Sequence, residues 1–203
     1  MTKYVVSRFN QNYDWLSEYT DDYVMYDRSE IPAPNSIPVP NIGSDLYDKF
    51  TFIIDNYDNL PDVAIYTKCN LFKYISREEF DKVKDNTNYT PLCSQEHKTY
   101  LPICWYENGL YAETNDFWYL GSHPPKNKES FKSLKELLKM DNRYYNLFAP
   151  GSGYILTRQD IQRHSKSFYE KLRSYLDWSI YPGECQILER SLHYLWGTDI
   201  IKE

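Results

Sequence analysis

Between Gly43 and Phe72 the apolar and polar positions change period twice. Leu46, Phe50, Ile53, Ile54 and Tyr57 recur at helical spacing after Ser44, which predicts a helix capped by Ser44 with one apolar stripe. Asn59-Leu60-Pro61-Asp62 ends it, because proline lacks the N–H the helix needs and its ring clashes with the preceding turn. Val63 to Tyr66 is then a short apolar run, as expected of a strand covered on both faces. It stops in polar Thr67-Lys68-Cys69-Asn70. In an open α/β sheet, ligands sit beyond the carboxyl ends of strands, which is where this run turns polar.

The same alternation of strand and polar turn opens the chain. Lys3 to Arg8 predicts a first strand, followed by Ser7-Arg8-Phe9-Asn10 at its end and a short helix from Asp14. Tyr23 to Tyr26 predicts a second strand closed by Asp27. Pro32, Pro34, Pro38 and Pro40 make the following stretch extended, an ordered crossover. Downstream, Ser76 with Glu79 three residues on is a capping-box pattern for a helix over Arg77–Lys84. Leu101–Trp105 and Leu110–Ala112 predict short strands around an Asn108-Gly109 turn, and Ser130–Met140 a helix. Tyr154-Ile155-Leu156 predicts a strand, a helix from Thr157 runs through Phe168 and Leu176, and a last helix spans Gly183–Trp196. The fold class is therefore α/β, with a mixed, mostly parallel central sheet flanked by helices.

Composition narrows the reading. The 203 residues are 41% hydrophobic and 26% charged, which fits one soluble domain over 1–203, and the end just after the last helix is compatible with a domain excised from a longer protein. A net charge of −6 without a basic patch disfavours nucleic acid as a partner. Cys69, Cys93, Cys104 and Cys185 contain no C-x-x-C pair, so reduced thiols in a cytoplasmic setting are expected. The N-terminus has no signal-peptide core, and no apolar run approaches the ~20 residues of a membrane span. The 21 tyrosines suit half-buried and sugar-stacking surfaces, or reflect a biased source genome.

Two segments carry a resemblance. IIDNYDNLPD, an apolar strand and an N-x-F turn (Asn70, Phe72), and then APGSGYILTRQDI, KSFYEKL and ILERSLHYLWG in the same order, resemble GT-A-like glycosyltransferase domains that contain an NYDxLPD element. The pieces cover about half the chain, and the Tyr- and Asn-rich composition is similar to the glycosyltransferase domains of large algal viruses. The resemblance implies a single GT-A-like nucleotide-diphospho-sugar transferase domain. It would be a hexosyltransferase that moves a sugar, from UDP by preference, to a glycan or protein-linked glycan acceptor.

The resemblance also implies roles. Ser7, Arg8 and Asn10 would face the nucleotide base, or form a surface turn with a salt bridge from Arg8. Asp27 would accept from the ribose or base, or form a turn. Lys68 and Asn70 would face the diphosphate or sugar. Gly151 and Gly153 would let the backbone approach donor or acceptor. Glu184, in the first turn of the last helix, would be the base of an inverting displacement, or an ordinary carboxylate favoured by the helix dipole. Glu189 matches the family's E-R pair and is either catalytic or an ion-pair partner of Arg190. The pattern departs from metal-dependent members because Thr67–Asn70 holds no D-x-D. That leaves Mn²⁺ or Mg²⁺ open and the ligands unassigned, with Lys68 neutralising the diphosphate or Asp116 supplying a ligand. His97, His123, His164 and His193 have no mutual ligand spacing. Thr114 to Trp118 would stack on a sugar or uracil ring if exposed, or pack into the core. The absent D-x-D motivates an alternative, a non-catalytic carbohydrate- or protein-binding module on the same fold. A nuclease is disfavoured, because no carboxylate cluster or basic groove is evident.

Overall fold

The structure, a computed structural model, describes residues 1–94, 105–107 and 109–201. The strands are β1 (Thr2–Arg8), β2 (Tyr23–Asp27), β3 (Ile37–Pro38), β4 (Val63–Lys68), β5 (Thr90–Pro91), β6 (Trp105–Glu107), β7 (Leu110–Thr114), β8 (Tyr145–Phe148) and β9 (Tyr154–Thr157). The helices are α1 (Ser44–Asp55), α2 (Arg77–Val83), α3 (Lys128–Leu137), α4 (Arg158–Ile161), α5 (Lys166–Ser174), α6 (Gly183–Glu189) and α7 (Leu192–Trp196). The main sheet runs β3-β2-β1-β4-β9-β5, and β6-β7-β8 form a smaller antiparallel sheet. β1 is parallel to β2 and β4, and β2 to β3, whereas β9 is antiparallel to β4 and β5. The chain is thus α/β with a mixed, mostly parallel sheet flanked by helices. Pro38 sits in the edge strand, where its missing N–H costs no ladder bond.

Alternation along the strands divides the apolar residues between two cores. Val5, Ala64, Tyr66 and Leu156 join Phe50, Ile53, Leu172 and Trp196 on the face covered by α1, α5 and α7. Tyr4, Val6, Val63, Ile65 and Ile155 join Trp15, Leu71 and Phe80 on the other. The stripe on α1 therefore lies against the sheet, as its spacing predicts.

Several boundaries differ. Gly43, not Ser44, is the N-cap of α1; its φ of +64° and a packing gap that leaves a Cβ 2.8 Å from the Leu176 carbonyl oxygen require glycine there. The helix expected from Thr157 is two: Thr157 and Asp160 close α4 as a capping box, and Ser165 restarts the chain by accepting from the Phe168 N–H. The last helix is also two. Ser191 Oγ donates to the Ile187 carbonyl, competing with the helical ladder between α6 and α7. Ser76 accepts from the Glu79 N–H as predicted. Tyr145–Phe148 forms β8, a strand the sequence pattern does not predict.

Residues 95–104 lie outside the described residues, as does 108, and with them Cys104, His97, Asn108 and most of the strand expected over 101–105. Cys69, Cys93 and Cys185 are buried. Among the described residues, no helix is long and apolar enough to cross a membrane.

Candidate functional site

The period of two decides where each strand end points. Arg8 pairs in register with Asp27, and Ser7 with Lys68. Arg8 and Asp27 share one side of the sheet, while Ser7 and Lys68 face α1, at Asp48 and Asp45. Two lobes of one cleft open along these ends. The larger, of 580 Å³, has the size of a small-molecule site and is lined by Lys73, Trp118, Gly151, Gln186, Glu189 and Arg190 among others. The smaller, of 150 Å³, is lined by Ser7, Arg8, Phe9, Gln11, Arg28 and Asn70 among others. Ser44, Asp45, Lys68, Tyr74 and Tyr181 line both and make the cleft continuous.

A buried charge cluster floors the junction. Asp45 lies beside the Lys68 ammonium at 3.0 Å and accepts from Lys49 Nζ and Ser152 Oγ. Lys49 is wholly buried and also reaches Ser152 Oγ at 3.0 Å. Burial opposes the charge on Asp45, but Lys49, Lys68 and Ser152 outweigh it and hold the carboxyl far below its usual range. Burial likewise opposes the Lys68 charge, and Asp45, Tyr74 and Glu189 outweigh it, so Lys68 stays protonated. One helical turn on, Asp48 lies 2.6 Å from Arg28 and faces the Ser7 hydroxyl. Here burial wins over Arg28 and pushes the Asp48 carboxyl up to about 7.

Arg8 is held rigid. Its guanidinium donates to Asp27 Oδ2 at 2.6 Å, to Ser29 Oγ at 2.9 Å and to the Gln11 carbonyl at 3.0 Å. Asp27 is fully engaged, since it also accepts from the Ser29 and Ala33 N–H groups. Burial pushes its carboxyl up, yet these bonds together hold it below the usual range. Asp27 thus orients Arg8 instead of presenting itself to a ribose. Asn10 forms a turn with φ of +61°, its N–H bonded to Ser29 Oγ, outside the cleft.

The two carboxylates of α6 part company. Glu189 lies five positions after Glu184, a rotation of about 140° around the helix at 3.6 residues per turn. Glu184 is fully buried and accepts from the Lys126 N–H at 2.9 Å and Ser130 Oγ at 2.5 Å. It ties α6 to the start of α3, which corrects the expectation of a base at Glu184. Glu189 lines the larger lobe, with Oε1 accepting from the Gly151 N–H at 2.8 Å and Oε2 lying 3.6 Å from Arg190. Arg190 turns instead to the buried Glu113, its main ion-pair partner. Gly151 has φ of +81°, and a Cβ there would meet the Tyr74 ring at 2.7 Å. Gly153 packs on Leu92 and does not line the cleft.

The structure therefore brings Ser7, Arg8, Lys68, Asn70, Gly151 and Glu189 to one cleft, and leaves Asn10, Asp27, Gly153 and Glu184 off it. Sequence reasoning missed Asp45, Asp48 and Lys49. Their signal was polar residues at i, i+3 and i+4 on the flank of an apolar stripe, a pattern usually read as a solvated helix end. Asp116 is exposed, and its carboxylate is taken by the Trp118 N–H and Thr114 Oγ. Among the described residues, no group of three or more His, Cys, Asp or Glu could hold a metal ion. At the junction, ammonium groups already surround the Asp45 carboxylate, so this donor set does not fit a divalent cation.

The family model described as "Protein of unknown function (DUF3431)" matches residues 4–202. No curated protein and no solved structure matches.

Proposed function

The chain belongs to the DUF3431 family, and from its cleft we propose a nucleotide-sugar-dependent glycosyltransferase. The observation that carries the reading is the cleft itself. It lies along the carboxyl ends of β1 and β4, with Arg8 and Lys68 at the ends of those strands and the Glu189 carboxylate on the lining of the larger lobe. The nucleoside occupies the smaller lobe, against Ser7, Arg8 and Asn70. Asn70 Oδ1 is buried there with no hydrogen-bond partner among the described residues, and a base or ribose donor satisfies it. The diphosphate lies at the junction, where Lys68 meets its charge. The sugar and acceptor occupy the larger lobe. Glu189 takes the proton from the acceptor hydroxyl as that oxygen bonds to the anomeric carbon. The bond from that carbon to the diphosphate oxygen breaks, and its electron pair leaves with the nucleoside diphosphate beside Lys68. Configuration inverts.

Isothermal titration with UDP is the first test. We expect binding that weakens about 10- to 100-fold in Lys68→Met, the loss of one charge-assisted contact. If neither UDP nor any other nucleoside diphosphate binds the wild type, the reading fails.

A second expectation concerns pH. Asp48 neutralises Arg28 only when ionised, and Arg28 lines the smaller lobe. The Asp48 carboxyl, raised to about 7, is mostly charged at pH 8 and mostly protonated at pH 6. Arg28 is therefore uncompensated at the lower pH, and UDP should bind more tightly there. In Asp48→Asn this component should vanish, which separates it from the titration of the diphosphate. A dependence identical in both proteins would remove Asp48 as its source.

One observation favours the non-catalytic binding module: Glu189 and Asp45, the carboxylates of the cleft, already hold partners. Hydrolysis of a UDP-sugar by the wild type, lost in Glu189→Gln, would eliminate that alternative.

A further inference from the structure

We propose that Trp118 is a stacking platform for a pyranose ring of the acceptor, at the mouth of the larger lobe. The inference rests on the transferase reading for the word acceptor, but its geometry is independent of the donor. Trp118 is 43% exposed and lines the larger lobe. An exposed indole is ordinarily free to change rotamer. This one is fixed at both ends. Its Nε1–H donates to Glu113 Oε2 at 3.2 Å, and its backbone N–H to Asp116 Oδ1 at 3.2 Å. The ring also sits edge-on to Tyr119, with centroids 6.0 Å apart. Glu113 is itself fully buried and ion-paired to Arg190, the neighbour of Glu189. A partly exposed indole is thus held at a set orientation in the lobe that Glu189 also lines. Such pre-organisation spares a ligand the cost of ordering the side chain.

The ligand this fits is flat, apolar on one face and hydroxylated at its edges. A pyranose offers a C–H face to the negative face of the indole and hydroxyls to polar neighbours. Tyr181, 57% exposed, borders the same lobe from the segment before α6, with its ring tilted against His123. A nucleobase is also flat, but Trp118 lines only the larger lobe, whereas Ser7, Arg8 and Asn70 line the smaller. The platform therefore belongs to the acceptor side.

The test uses the full chain, methyl glycosides of glucose, galactose, mannose and N-acetylglucosamine as probes, and UDP in a parallel titration. Saturation-transfer NMR should show at least one glycoside receiving magnetisation chiefly on the ring protons of one face. Trp118→Ala should weaken that glycoside about tenfold or more and leave the UDP affinity unchanged, while Trp118→Phe keeps most of the binding. An unaltered thermal melt confirms that the exposed substitution leaves the fold intact. Glycoside binding that is unchanged in Trp118→Ala, or undetectable for every probe in wild type saturated with UDP, overturns the proposal. So does UDP binding that falls with the glycoside's, because the ring would then serve the base. A wild type that binds glycosides through Trp118 but no nucleoside diphosphate supports the stacking site and removes the transferase reading.

Discussion

Glu189→Gln is expected to lower the rate of sugar transfer about 10²- to 10⁴-fold, the usual contribution of a positioned general base, with UDP affinity near wild type. The glutamine keeps the shape of the side chain and can still accept from the Gly151 N–H, as Glu189 does at 2.8 Å. What it loses is the ability to take a proton. Single-turnover kinetics with a radiolabelled UDP-sugar separate this loss from slow product release. The control is Glu184→Gln on the same helix. Glu184 is buried against Lys126 and Ser130, so its amide should preserve transfer and alter only the melting temperature. If transfer collapses in Glu184→Gln and survives in Glu189→Gln, the assignment of roles on α6 is wrong.

That pair of residues shows where sequence reading stops. The apolar stripe of α1, the β4 run and the polar strand ends were legible because burial imposes periods of 3.6 and 2 on the chain. Ser7, Arg8, Lys68 and Asn70 followed from the rule that strand ends hold ligands, and the cleft runs past all of them. The choice between Glu184 and Glu189 needed the rotation of a helix about its axis. No local pattern fixes that rotation; it is set by what α6 packs against, here the segment leading into α3. Asp27 failed for a related reason. A carboxylate at a strand end can serve a ligand or a neighbouring guanidinium, and only the register of β1 against β2 shows that Arg8 stands opposite. Asp45 and Lys49 were illegible because charged residues in the first turn of a helix are most often solvated. Gly43 and Gly153 were decided by packing, against Leu176 and Leu92.

The charge cluster under the cleft yields the largest expected effect on stability. Asp45→Asn removes the counter-charge of Lys49, which is wholly buried, and of Lys68. Breaking a buried pair from one side leaves an uncompensated charge and costs about 3–5 kcal/mol. In a chain of this length that lowers the melting temperature by roughly 6–20 °C. The pH dependence follows from the depressed carboxyl of Asp45. Its contribution is fully present above the unfolded value of about 4 and declines as pH falls below it, so the gap between wild type and variant should narrow in acid. Lys49→Met in the Asp45→Asn background removes the orphaned charge and fills the space with an apolar stem. The double variant should therefore be more stable than the sum of the two single losses, by an interaction energy readable from urea unfolding. Strict additivity would mean that Lys49 and Asp45 do not depend on each other for charge. Nucleotide affinity should move the other way. With Asp45 neutral, Lys68 keeps its full charge for the diphosphate, so the less stable Asp45→Asn should bind UDP at least as tightly as wild type. A joint loss of stability and affinity would instead make Asp45 a direct ligand of the nucleotide.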